Sequence, residues 1–180
     1  MQSLLAWRSN EVVMSELHRV YLNLGSNIQP EMNLPKAVQL LSEYGEVRHV
    51  SNAWESKSVG APGPNYLNAC VLFISPTRQA ELKGQVIRPI EARLGRERSA
   101  NKYTPRTIDI DIVLFNDKPA NAVFWELAFV IVPLADIYPE YQNPATHENI
   151  AEIATRLRQE VWMEPHPEVF SQLNGNSFRA

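Results

Sequence analysis

The chain holds little cysteine, little excess charge and no long apolar run. Cys70 is the single cysteine in 180 residues, so no disulfide can close within the chain, and its run "NACVLFI" reads as buried. A lone apolar-flanked thiol fits a reducing cytoplasm. Cysteine and histidine nowhere show the spacing of a zinc site. No stretch approaches the roughly 18 apolar residues of a membrane span, and "MQSLLAWRSNEVV" has too short an apolar run for a secretory signal. Seventeen Lys and Arg against twenty Asp and Glu give a net charge of −3, which argues against nucleic acid as a partner. What remains, 44% apolar and 21% charged, is an ordinary soluble composition. The length suits one domain. We expect an extension over 1–18, a core over 19–162 and a loosely ordered tail over 163–180, without internal repeats or linkers.

The charge is unevenly placed. Arg88, Arg93, Arg96, Arg98, Lys102 and Arg106 face only Glu91 and Glu97 in that interval, a local balance of +4 that leaves −7 for the remainder. This basic segment runs into "NKYTPRTIDIDIVLF", residues 101–115. Val, Ile and Phe favour strands and Asp avoids them. With a period of two, Ile108, Ile110, Ile112 and Leu114 share one face, and Asp109 and Asp111 share the other. Two carboxylates so placed repel unless something positive lies between them. An exposed strand face would be the plain reading; a basic segment leading into it points to a polyanion held with metal ions.

The rest of the chain alternates strand and helix. "RVYLNLGSN" reads as a strand entering a turn. "LPKAVQLLSEYG" reads as a helix with Asn33 as N-cap, Pro35 in the first turn and Gly45 as its stop. "EVRHVSNAW" and "YLNACVLFIS" read as strands flanking the Gly/Pro loop "VGAPGPN". From Thr77 to Leu94 the spacing is helical, divided or kinked at Pro89. "LAFVIVPL" looks like a short strand running into a helical turn at Pro133, and "HENIAEIATRLRQEV" is an amphipathic helix. Strands interleaved with helices predict an α+β domain, a mainly antiparallel sheet with helices packed on it.

Four stretches, taken together, resemble the 6-hydroxymethyl-7,8-dihydropterin pyrophosphokinase family. They are "LGSN" (24–27), "YLNA" (66–69), Glu91-Leu94-Gly95-Arg96-Arg98, and "PRTIDIDIVLF" (105–115). The resemblance covers residues 20 to about 160 and implies a ferredoxin-like fold. It implies transfer of pyrophosphate from ATP to the hydroxymethyl group of a reduced pterin, with release of AMP, in folate synthesis. It also implies two Mg2+ ions held by Asp109 and Asp111. Arg96 and Arg98 would close over the triphosphate, Arg106 would reach a phosphate, and Glu91 would stand near the nucleotide. For the pterin it implies Asn68 at the ring edge, Phe129 as stacking aromatic, Tyr66 lining the pocket, Tyr103 as an aromatic that closes on the ring, and Ser56 and Val59 in the loop that contacts it through backbone groups. A monomer acting on small molecules is expected.

Two departures stand out. The family carries a His-Pro pair and a basic residue in the segment before its stacking aromatic. Here "NDKPANAVFWEL" has no His, Leu127 takes the basic place, and Lys118 is the one cation. "SKS" (56–58) replaces a Thr-Pro-rich stretch. ATP binding that is weakened, re-routed or completed by another chain is therefore expected. Two other readings stand beside the main one: a family member that binds pterin or nucleotide without turnover, and an active paralogue with another pterin or donor.

Overall fold

The computed structural model describes residues 16–60, 62–97 and 104–175. In chain order these form β1 (His18–Ser26), α1 (Pro30–Leu41), β2 (Glu46–Val50), β3 (Ala53–Ser56) and β4 (Tyr66–Ser75). Then follow α2 (Gln79–Leu82), α3 (Arg88–Arg93), β5 (Asp109–Phe115), β6 (Lys118–Pro119), α4 (Ala128–Ile137), α5 (Ile150–Glu160) and β7 (Met163–His166). The strands join in one antiparallel sheet, ordered β6-β5-β1-β4-β3-β7, with β2 also on β4. The central order β5-β1-β4-β2/β3 is the ferredoxin-like arrangement, so the expected α+β class holds.

Alternation along β1 and β4 divides the apolar residues between two cores. Val20, Leu22 and Leu24 of β1 and Leu67, Ala69, Val71 and Phe73 of β4 pack under α1 and the α2–α3 stretch. Tyr21, Cys70, Leu72 and Ile74 point the other way, against α4 and α5. Helices therefore cover both faces. Beyond Cys70 and Tyr21, at the Asn68–Gly25 end, the second face carries polar or no side chains, and that end forms the site.

Several expectations are corrected. "EVRHVSNAW" is two strands, because the chain steps at Ser51, whose Oγ accepts from Cys70 N–H at 2.8 Å. "LAFVIVPL" is helical: α4 is buried nearly all round, which removes the periodicity that would mark a helix. Asn33 is no N-cap; Gln29 takes that place, Pro30 opens the helix, and the buried Asn33 amide donates to Ile28 O at 2.7 Å. The tail expected to be loose adds β7 alongside β3, then a 3-10 helix (Pro167–Gly175) that buries Val169, Phe170 and Leu173 in the first core.

The helix expected to be divided or kinked at Pro89 is not divided: Lys83, Ile87 and Arg88 all keep right-handed helical dihedrals. Residues Lys83–Ile87 widen into a π-helical turn, in which Arg88 N–H bonds Lys83 O. Pro89, the second residue of α3, lacks the N–H that a regular α-helix would bond, and the widened turn just before it accommodates that loss.

Candidate functional site

The site begins with the strand register. Gly25 lies opposite Asp109 on one side and Asn68 on the other, and Asn23 lies opposite Asp111 and Cys70. β1 thus carries the seam between the carboxylate strand β5 and the amide strand β4. Above this seam is a cavity of about 440 Å³, within the usual range for a small-molecule pocket. One end is lined by Asp109, Asp111 and Arg106; the other by Tyr66, Asn68, Ser56, Val59 and Phe129. Gly25 keeps the floor open, since a Cβ there would stand 3.1 Å from Asn68 Oδ1.

The two aspartates differ in their company. Asp109 accepts from Arg96 through Oδ1 and from Arg106 through Oδ2. Asp111 keeps an exposed edge, yet protein crowds around it. Burial raises its carboxyl above the usual carboxylate range; Lys83 foremost, then Arg96 and Arg106, pull it back. Lys83 belongs to the π-helical turn and is not among the residues lining the cavity, so its charge acts on Asp111 without a direct ion pair among the described residues.

Glu91, 4% exposed, does not line the cavity. Its Oε1 accepts from Ile110 N–H at 3.2 Å and also from Arg96. It therefore caps the open edge of β5 and holds Arg96 beside Asp109. Asn27, the last residue of "LGSN", ties two loops together. Its Oδ1 accepts from Arg106 N–H at 2.7 Å, Arg106 O accepts from Asn27 N–H at 3.1 Å, and its amide donates to Pro64 O at 3.4 Å.

At the other end, Asn68 donates to Ser56 Oγ at 3.0 Å, so the Ser56 side chain orients the amide. Phe129 reaches the cavity from the first turn of α4, and Tyr66 from the start of β4. Arg98 and Tyr103 lie outside the described residues. Leu127 does not line the cavity; it packs on the second core. Lys118 lies opposite Phe115, four residues past Asp111, or about 13 Å along the strand. Sequence reasoning missed Asn23, Lys83 and Asn27. An Asn among Val20, Leu22 and Leu24 was the available signal for Asn23.

Residues 21–139 match the family model for 7,8-dihydro-6-hydroxymethylpterin-pyrophosphokinase. A 2-amino-4-hydroxy-6-hydroxymethyldihydropteridine pyrophosphokinase of Synechocystis is 31% identical over 153 residues, 79% of this chain and 77% of its own length. The enzyme of that name from Aquifex aeolicus is 30% identical, covering 74% of this chain and 88% of its own. In fold, the chain is similar to the crystal structure of Plasmodium falciparum HPPK-DHPS, with a TM-score of 0.63 at 14% identity. That match takes in 81% of this chain and 46% of the solved one, so the chain spans less than half of that protein.

Proposed function

The chain belongs to the 7,8-dihydro-6-hydroxymethylpterin-pyrophosphokinase family, and we propose that the cavity over β1 is where it transfers pyrophosphate from ATP to 6-hydroxymethyl-7,8-dihydropterin. The activity is that of a 2-amino-4-hydroxy-6-hydroxymethyldihydropteridine pyrophosphokinase, a transferase of folate biosynthesis. One observation carries the placement. A single cavity joins a pair of carboxylates flanked by arginine to a pocket of two aromatics and an oriented amide.

The reacting groups follow from this layout. The pterin ring lies between Tyr66 and Phe129, aromatic faces that suit a flat heterocycle. Asn68, held by Ser56, presents its carboxamide to the ring edge. Arg106 and Arg96 exchange Asp109 for phosphate oxygens as the nucleotide enters; a guanidinium suits either anion. The acceptor hydroxyl then attacks the β-phosphorus, the bond to the α-phosphate oxygen breaks, AMP leaves, and the hydroxyl proton is released. Positioning and charge neutralisation supply most of the rate.

Asp109 and Asp111 offer hard oxygen donors from one strand face, and magnesium commonly binds through one or two carboxylates plus phosphates. This donor set fits two magnesium ions. Among the described residues no three His, Cys, Asp or Glu side chains form a metal site, so the nucleotide supplies further ligands. Bound there, the ions would neutralise charge on the transferring group. Neither a nucleic acid nor a membrane enters this reading, which takes the protein as a cytoplasmic monomer. Supporting it, the pterin pocket and the carboxylate pair lie on one chain, and no helix among the described residues is long and apolar enough to cross a membrane.

Incubation with ATP, magnesium and 6-hydroxymethyl-7,8-dihydropterin should yield AMP and the pterin diphosphate. Absence of AMP with the dihydropterin, under conditions where a pterin still binds, would leave a binding protein and overturn the reading.

A further inference from the structure

Asn23 is a carboxamide in the middle of the central strand, between Leu22 and Leu24. It is 5% exposed, and its Oδ1 is buried with no hydrogen-bond partner among the described residues. A buried carboxamide oxygen left without a donor destabilises the ligand-free protein. In this orientation of the carboxamide its cross-strand neighbours offer Oδ1 no strong donor. Asp111, opposite on β5, offers no proton when ionised, and Cys70, opposite on β4, has at best a weak donor.

The place of Asn23 suggests what would pair with it. Gly25 has no side chain, so Asn23 supplies the β1 side chain that lines the cavity. A ring held at Tyr66, Asn68 and Phe129 can reach a phosphate held at Asp109 only by crossing β1. The group of the pterin that makes this crossing is its hydroxymethyl substituent. A hydroxyl both donates and accepts, and a half-turn of the carboxamide exchanges Oδ1 and Nδ2, so either end of the amide can meet it.

We infer that Asn23 is a specificity-determining residue that hydrogen-bonds the hydroxymethyl oxygen of the bound pterin and holds it toward the Asp109–Asp111 pair. The inference rests on the pyrophosphokinase reading above. It gives Asn23 a ligand partner in place of a structural one.

The test compares two stable ligands, 6-hydroxymethylpterin and 6-methylpterin, titrated calorimetrically into wild type and Asn23→Ala. Wild type should prefer the hydroxymethyl compound by about 5–10-fold, the worth of one hydrogen bond. Asn23→Ala should bind both alike, with affinity for the methyl compound kept within about twofold. Without ligand the variant should melt no lower than wild type, because the substitution removes a buried carboxamide oxygen that lacks a donor. Asn23→Val, a strand-favouring apolar replacement, should behave in the same way and serves if the alanine variant folds poorly.

A preference that survives in both variants, or is absent in wild type, overturns the inference. So does a melting point several degrees lower in both variants, which would mark a structural role. Failure of wild type to bind either pterin would bring down the pyrophosphokinase reading itself, a distinct outcome.

Discussion

Asp109 and Asp111 share a strand face, and their surroundings predict opposite costs of removal. Asp109 neutralises Arg96 and Arg106, so Asp109→Ala removes the carboxylate that both guanidinium groups bond. We expect a loss of about 1–3 kcal/mol in urea unfolding of the ligand-free protein. Burial works against ionised Asp111, so Asp111→Ala should leave stability unchanged or raised. Both variants should form no AMP, and wild-type turnover in either would remove that carboxylate from the metal site. Lys83 is the foremost cation acting on Asp111. With no His in 116–127, Leu127 packed on the core and Lys118 on β6, Lys83 is the cation to test as a stand-in for the missing nucleotide contacts. Lys83→Ala should weaken binding of a non-hydrolysable ATP analogue with magnesium and leave pterin binding intact. Calorimetric titration of the two ligands separates these effects, and unchanged nucleotide affinity would exclude Lys83.

At the scale of elements, residues that alternate strictly were readable and residues that answer to tertiary packing were not. β1, β4 and the Asp strand could be placed from period two alone. Even there, the β-bulge opposite Tyr21 and Leu22 turns Leu114 onto the aspartate face, where it joins the second core instead of following Ile108 and Ile110. α4 was misread because its β-branched residues pack on every side, and β7 because "MEPH" has neither alternation nor length. Within the site, the aspartates, Arg106, Asn68, Tyr66 and Phe129 were legible through their motif, while Asn27 and Lys83 act through loop and turn geometry that spacing does not encode. Gly45 shows the same limit. It reads as a helix stop, but helix α1 ends before it, at Ser42. The glycine is required because a Cβ would stand 2.4 Å from Ile74 O and 2.7 Å from the Phe73 ring. Gly45→Ala must therefore push β4 aside, at a cost of about 3 kcal/mol. Chemical denaturation should show this as a lower midpoint, and an unchanged midpoint would mean the turn can move away freely.

Across the whole molecule, the C-terminal segment connects the first core to the substrate end of the sheet. His166 on β7 bonds Glu55 of β3 and Glu168 of the following 3-10 helix, each at 2.9 Å, while Asn65, at the end of the pterin loop, donates to the same Glu55 at 2.8 Å. Glu168 first, and then Glu55, raise the His166 imidazole above its ordinary value of 6.5. The folded protein therefore binds a proton that the unfolded chain has already released, and this contribution to stability is present in full below pH 6.5 and fades as pH rises through the folded value. Wild type should lose stability over a window beginning near pH 6.5, and His166→Gln should show a flatter profile there. Because Glu55 also anchors Asn65, the pterin loop should loosen over the same interval, so pterin affinity should decline with pH in wild type more steeply than in His166→Gln. Urea unfolding and pterin titration at a series of pH values check both halves. Parallel profiles for the two proteins would show that His166 gains nothing from its two carboxylates, and parallel affinities alone would confine the effect to stability.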